Sequence, residues 1–341
     1  MRVRYGLIHI ANNEPFSHHP NGFSISPWLQ DLLLQLSQSC PFEQAAELAR
    51  SLLNQSVNNN QLHRLAQHYG QCLDQQPSPL QAMPARKDVL ETAESRVVYS
   101  QADGSMILTD EGWQEVKLGR VFLASAVVES GVEGRGGRIE DSLYAAHLGH
   151  APDFQQRFSL LLGPYQQPGW THVFLSDGAI WLRQLMETHH PEVHLILDYY
   201  HAMGYVAKAG EAGISHPWAR KRWLEEQGKL LLNSQLDRVM TNIKVLSLAE
   251  GVRVSVLSYL EKNGDRMDYK AYRAKGWLIG SGAIEAAHRT LVQIRMKLSG
   301  QRWSRVGAQR MLSLRVWWES GWWERVRDHI EPRPVHYAMA A

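Results

Sequence analysis

Three apolar runs in the middle of the chain each close on an aspartate. RVVYSQAD ends on Asp103, THVFLSD on Asp177 and VHLILD on Asp198. Short runs rich in β-branched and aromatic residues, bounded by turn residues, read as strands. Between the second and third lies AIWLRQLMETHH, which has helical periodicity. Strands first, then strands alternating with helices, predict a mixed α/β sheet. A carboxylate at the mouth of an apolar strand is costly to dehydrate without a partner. Strand ends in one sheet lie side by side, so carboxylates from different strands can meet. Each also has a plainer reading. Gly104 follows Asp103 and Gly178 follows Asp177, and Asp-Gly after a strand is a common turn. Asp198 can cap the helix after it, with His201 packed on that helix.

The chain has 341 residues, 44% of them hydrophobic, enough for a large core and more than one domain. Net charge is only +2, so any nucleic-acid footprint must be local. Cys40 and Cys72 lie in separate segments without CxxC spacing, which fits a reducing cytoplasm and points away from a zinc site. No apolar run is long enough to span a bilayer, and the opening MRVRYGLIHIANNEPF lacks the apolar stretch of a signal peptide.

The texture of the chain predicts five parts. Residues 1–75 read as helical: PWLQDLLLQLSQ, then PFEQAAELARSLL with Phe42, Ala45, Ala49 and Leu52 on one face. After a polar break comes NNQLHRLAQHYG, with Leu62, Leu65, Ala66 and Tyr69 inward and Gly70 as a stop. Helix, polar turn, helix is the spacing of a helix-turn-helix, whose second helix would show Gln61, His63, Arg64 and Gln67 outward; that signal is weak alone, and a plain helical bundle is the commoner source of the same pattern. Residues 76–95, with three prolines in DQQPSPLQAMPAR, read as a linker. Residues 96–201 hold the strands, 202–275 a helical insertion, and 276–330 the last helices.

The last part carries a third acid. Ile284, Ala287, Leu291, Ile294 and Leu298 recur at helical spacing and predict one buried stripe, with Glu285 beside it. Gly280, Ser281 and Gly282 precede the helix, and Ser281 suits its N-cap. Crowding Asp103, Asp177 and Glu285 together would push them toward protonation. A divalent cation reverses that, and hard oxygen ligands suit Mg²⁺ or Mn²⁺. From Ala286 to Val316 the chain carries seven basic residues and no acid. Arg289, Arg295, Lys297, Arg302 and Arg305 there, with Trp303 among them, read as a track for phosphates and an unpaired base.

The strings QADGSM, FLSDGAIWL, LDYYHA and GSGAIEAAHRTLVQIRMKLSGQRWS resemble those of the DDE transposases of bacterial insertion sequences, over roughly residues 95 to 320. The resemblance implies an RNase H-like catalytic domain with a helical insertion, preceded by a DNA-binding helical region. It implies Asp103, Asp177 and Glu285 as the metal-binding catalytic triad, and a D-x-x-H motif at Asp198 and His201, with His201 at the reaction site. The expected activity is metal-dependent cleavage of element ends and strand transfer into double-stranded target DNA, by a dimer or larger assembly in the bacterial cytoplasm, at the nucleoid. Two other outcomes stay open: a hydrolysis-only nuclease on the same fold, and a transposon remnant that only binds DNA.

Overall fold

A computed structural model describes residues 25–76, 96–128, 137–166 and 168–330, with residue 23 and the pairs 2–3 and 6–7. The linker expected at 76–95 lies outside them except for Gln76. Three helices come first: α1 (Pro27–Ser39), α2 (Phe42–Leu53) and α3 (Asn59–Asp74). Then follow β1 (Val97–Thr109), β2 (Gly112–Leu123), β3 (Leu143–Leu148), α4 (Ala151–Leu162), β4 (Thr171–Ser176), α5 (Ile180–His189) and β5 (His194–Leu197). The helical insertion comprises α6 (Tyr199–Gly213), α7 (Pro217–Leu232), α8 (Leu236–Lys244), α9 (Glu250–Asn263) and α10 (Tyr269–Ala274). It begins three residues earlier than its composition suggests, directly behind β5. The last elements are α11 (Gly282–Ala287), a π-helical turn (His288–Gln293), α12 (Ile294–Met296), α13 (Arg305–Glu319) and α14 (Trp323–Ile330).

Two compact units divide the chain. One comprises Met1–Pro77, Ile107–Gln114 and Thr290–Ala341, the other Ser78–Met106 and Glu115–Arg289. The sequence groups 276–330 with the sheet; in the structure the helices from Thr290 onward belong instead with the N-terminal ones.

The sheet unit is mixed α/β, with strand order β3-β2-β1-β4-β5. β2 and β3 run antiparallel, Val116 facing Leu148 and Val121 facing Leu143. β1 and β2 are joined by Asp110 and Glu111 alone, a link that antiparallel neighbours permit and parallel ones do not. β1 and β4 are parallel from Val97–Thr171 to Gln101–Leu175, and β4 and β5 from Val173–His194 to Ser176–Leu197. Carrying these registers on past the last pairs sets Asp103, Asp177 and Asp198 in one row across three strands, at a spacing of about 4.8 Å per strand. Helices cover both faces, which is why the parallel strands read as near-continuous apolar runs. On one face Val173, Leu175 and Ile196 pack with Ala202, Val206, Leu231 and Leu260 of the insertion. Elsewhere Phe158 meets Phe154 and Phe174, and its ring fills the space a side chain at Gly119 would need.

In the helical unit, Leu33, Leu34, Ala45, Ala49, Leu62, Leu65, Ala66 and Tyr69 form the core, as their periodicity predicts. Leu52, expected on the inner face of α2, lies exposed at its last turn. Asn58 and Gln61 close a reciprocal capping box at the start of α3. Gly70 does not stop α3, which continues to Asp74. A Cβ at Gly70 would come within 2.5 Å of the Arg310 carbonyl oxygen, so the glycine serves a close crossing of α3 and α13. The buried stripe expected through Ile284 and Leu298 breaks at the π-helical turn, where bonding widens to i→i+5 and the buried face rotates. Ile294 and Leu298 are therefore exposed, while Val292, Arg295 and Met296 turn inward. No helix among the described residues is long and apolar enough to cross a membrane.

Candidate functional site

Asp103 does not end its strand, as the sequence suggests, because β1 runs on to Thr109. What ends near it is the parallel pairing with β4, whose last register pair holds Gln101. The Asp103 carboxylate leans back on its own turn, with Oδ1 accepting from the Gly104 amide at 2.7 Å. Asp177 directly follows β4, and its Oδ1 accepts from the Ala179 amide at 2.9 Å. The chain turns there through Gly178 at φ +91°, a conformation that favours glycine. From α9, the Tyr259 hydroxyl donates to the Asp177 carbonyl oxygen at 2.6 Å. Each aspartate thus spends one oxygen on positioning.

Glu285 is exposed in the first turn of the short helix α11, and three buried side chains from three strands hold that segment. Gln101 accepts from the Ile284 amide at 2.8 Å and donates to the Gly280 carbonyl at 3.4 Å. Arg120 on β2 donates to the Ala283 carbonyl at 2.7 Å and to Ser142 Oγ at 2.9 Å. Asp198, just past β5, accepts from the Ser281 amide. Ser281 occupies the N-cap position as expected but supplies no capping bond; Gln101 provides the oxygen instead.

The carboxylates come close enough to feel one another. Asp103 is pushed up to about 6, first by burial, then by the negative charges of Asp177 and Glu285, against the pull of the Gly104 amide and of His201. Asp103, Asp177, Glu285 and His201 therefore share one electrostatic neighbourhood, though among the described residues no three acidic, histidine or cysteine side chains stand close enough to hold a metal ion. The donor set nevertheless fits a hard divalent cation. It is made of carboxylates whose mutual repulsion a cation would relieve, and Asp103 and Asp177 each keep a second oxygen. Magnesium commonly binds through one or two carboxylates plus water and phosphate, without a closed protein cage.

Asp198 and His201 separate in role. Asp198 is buried, caps α6 by accepting from the His201 amide at 2.6 Å, and reaches the Ser281 amide with its other oxygen. It ties strand end, helix start and the Glu285 loop together. His201 is exposed on α6, its ring 6.4 Å from that of Tyr205 and near enough to Asp103 to act on its charge.

His288, one turn after Glu285, is buried with Nε2 4.0 Å from Asp103 Oδ2. The i+3 spacing from Glu285 was a signal for it in the sequence. Gln101 carried a fainter one, a polar residue two positions before Asp103 inside an apolar strand. Arg120 and Tyr259 carried none, since their partners lie far away in the chain.

The basic residues divide. In the sheet unit Arg289 is exposed. In the helical unit Lys297, Arg302 and Arg64 are exposed, and Arg305 lies 3.7 Å from Glu111. Arg295 is not a surface residue. It is 1% exposed, donates to the Ser37 carbonyl at 3.0 Å and is stacked between Phe42 and Trp303. Burial lowers its pKa to about 10. Trp303, expected to stack on a base, is buried and donates to the Met296 carbonyl. On α3, Gln61, His63 and Arg64 are exposed, while Gln67 turns to the Gly307 carbonyl of α13. No protein-family model matches the chain, and no curated protein matches it.

Proposed function

We propose that this chain is a DDE-type DNA transposase with an RNase H-like catalytic domain. The observation that carries the proposal is the gathering of Asp177, Glu285 and His201 near enough to act on the Asp103 carboxyl, which burial first, and the two neighbouring acids after it, raise to about 6. The strand order, with β1 parallel to β4 on one side and beside β2 on the other, and β2 antiparallel to β3, supports the fold assignment. Double-stranded DNA, as element ends and target, is the partner in this reading, and holding two ends together requires at least a dimer.

Asp103, Asp177 and Glu285 would hold Mg²⁺ or Mn²⁺. When bound, the metal would activate a water or a 3′-hydroxyl and offset charge on the leaving oxygen. The protein's own part is positioning. The Gly104 and Ala179 amides hold one oxygen each of Asp103 and Asp177, which fixes the remaining oxygens. Gln101, Arg120 and Asp198 fix the loop that carries Glu285. Arg289, one turn beyond Glu285 and exposed, suits a phosphate of the bound strand. His201, exposed beside the carboxylates, would serve as the proton carrier of the site.

The test is cleavage of DNA carrying the candidate element ends, with Mg²⁺, Mn²⁺ or EDTA, by wild type and Asp177→Ala. Metal-dependent nicking at the ends, lost in the variant, and joining to a target plasmid support the proposal. Nicking without joining indicates a hydrolytic nuclease. Tight end binding without nicking indicates a DNA-binding remnant.

A further inference from the structure

Beside the triad the sheet unit holds a cavity of about 560 Å³, which Asp177 and His201 border and whose other lining residues the proposed chemistry does not use. The turn into α5, one side of α6 and one side of α9 form its walls, with Arg266 also among the lining residues. Its volume lies within the range of about 300–1,000 Å³ typical of small-ligand sites.

Its charges are unbalanced. Asp177 is the one acid among the lining residues, against Arg183, Lys262 and Arg266. Arg183 is neutralised by Glu187 and Asp265, each at 2.7 Å. Lys262 and Arg266 have no carboxylate within 4 Å among the described residues. Arg266 is 3% exposed; it donates to the Asn263 side chain, and its Nε has no hydrogen-bond partner. A buried guanidinium with no carboxylate in contact and an unpaired Nε is destabilising, and native structures rarely keep one without a reason. The N-terminus of the ten-residue helix α5 opens on the same space and adds its positive dipole end. Tyr205, stacked on Tyr259 at 3.6 Å, gives the cavity an aromatic edge.

We infer that this cavity is a phosphate subsite that seats the nucleotide adjoining the bond to be cut, with Lys262 and Arg266 balancing its charge. The nucleic-acid identity of the ligand rests on the transposase reading, while the anion preference rests on the cavity itself. The subsite would hold the strand on the Asp177 side of the triad and so set which bond is presented.

The experiment titrates the full chain by calorimetry with the 5′-phosphorylated dinucleotide pdTdT, with dTdT and with inorganic phosphate. Wild type is compared with Lys262→Ala, a surface change on α9, and with Arg266→Lys, which keeps the charge but loses the fork; thermal melts check that both fold. The expected result is at least tenfold weaker pdTdT binding in Lys262→Ala, a loss in Arg266→Lys as well, and inorganic phosphate held far more weakly than pdTdT by wild type. Equal pdTdT affinity in all three proteins overturns the inference. Inorganic phosphate held as tightly as pdTdT overturns the nucleotide assignment. Cleavage of end DNA is measured in parallel. Cleavage with unchanged pdTdT affinity in the variants removes the subsite and leaves the transposase reading standing. Lys262-dependent pdTdT binding without any metal-dependent cleavage removes the transposase reading and leaves the subsite standing.

Discussion

The amide of Ile284 donates to the side-chain oxygen of Gln101 at 2.8 Å, across 183 positions of chain. Gln101 lies two residues before Asp103 on β1, and Ile284 lies one residue before Glu285 on α11. One buried amide side chain thus links the supports of Asp103 and Glu285. Gln101→Leu is expected to leave the Ile284 amide unpaired and to destabilise the protein by about 1–3 kcal/mol. Urea unfolding measures that cost. End cleavage should fall at least tenfold, with end binding little changed, because the displaced group is Glu285 and not a DNA contact.

Asp103 gives a pH dependence with a definite sign. Its folded-state carboxyl, raised to about 6, lies above its ordinary 3.8, so between those values the folded protein binds more protons than the unfolded one. Stability from this group is therefore greatest at low pH and is lost as pH rises toward and through 6. Asp103→Asn should flatten that slope and raise the metal-free melting temperature at pH 7 by about 1–3 °C, read from melts between pH 4 and 7. On the proposed reading, cleavage by wild type should fall about tenfold per unit below pH 6, since a protonated Asp103 would no longer offer its charge to a cation.

Asp198→Asn distinguishes a cap from a metal ligand. The amide can still accept from the His201 or the Ser281 backbone N–H, but its NH₂ then opposes the other donor. The expected cost is about 1–3 kcal/mol in stability, with a matching loss of cleavage at any Mg²⁺ concentration. A variant of unchanged stability whose activity is rescued by high Mg²⁺ would instead make Asp198 a ligand.

Arg295 and Arg302 should behave as opposites. Arg295→Met removes the guanidinium bonded to Ser37 and should lower stability by about 1–3 kcal/mol, seen in chemical unfolding. Arg302→Ala should leave stability unchanged. If the exposed Arg302 grips a phosphate, end binding weakens and the slope of log affinity against log salt drops by about 1.

Gly70→Ala should destabilise the helical unit by about 1–3 kcal/mol, because the added methyl meets backbone at 2.5 Å, which cannot rotate away. A thermal melt tests it, and an unchanged melting temperature would mean that α3 and α13 can part without cost.

The sequence by itself determined what local periodicity and turn chemistry control. The α3 core residues, the strands THVFLS and HLIL, the helix between them and the all-helical insertion follow from spacings of two or 3.6 residues. Asp103, Asp177 and Glu285 were legible as candidates because each stands beside glycines at the edge of an apolar element. What local spacing could not settle was which long-range partner each side chain finds. Arg295 and Trp303 look like a phosphate track in sequence, yet the π-helical turn rotates the helix and carries the arginine into the core. Gly70 reads as a helix stop until α13 supplies the backbone that requires it. Gln101, Arg120 and Asp198 serve one loop from three strands, and only the register of the sheet brings them there. Burial and hydrogen-bond pairing depend on segments far apart in the chain, so tertiary packing decided them.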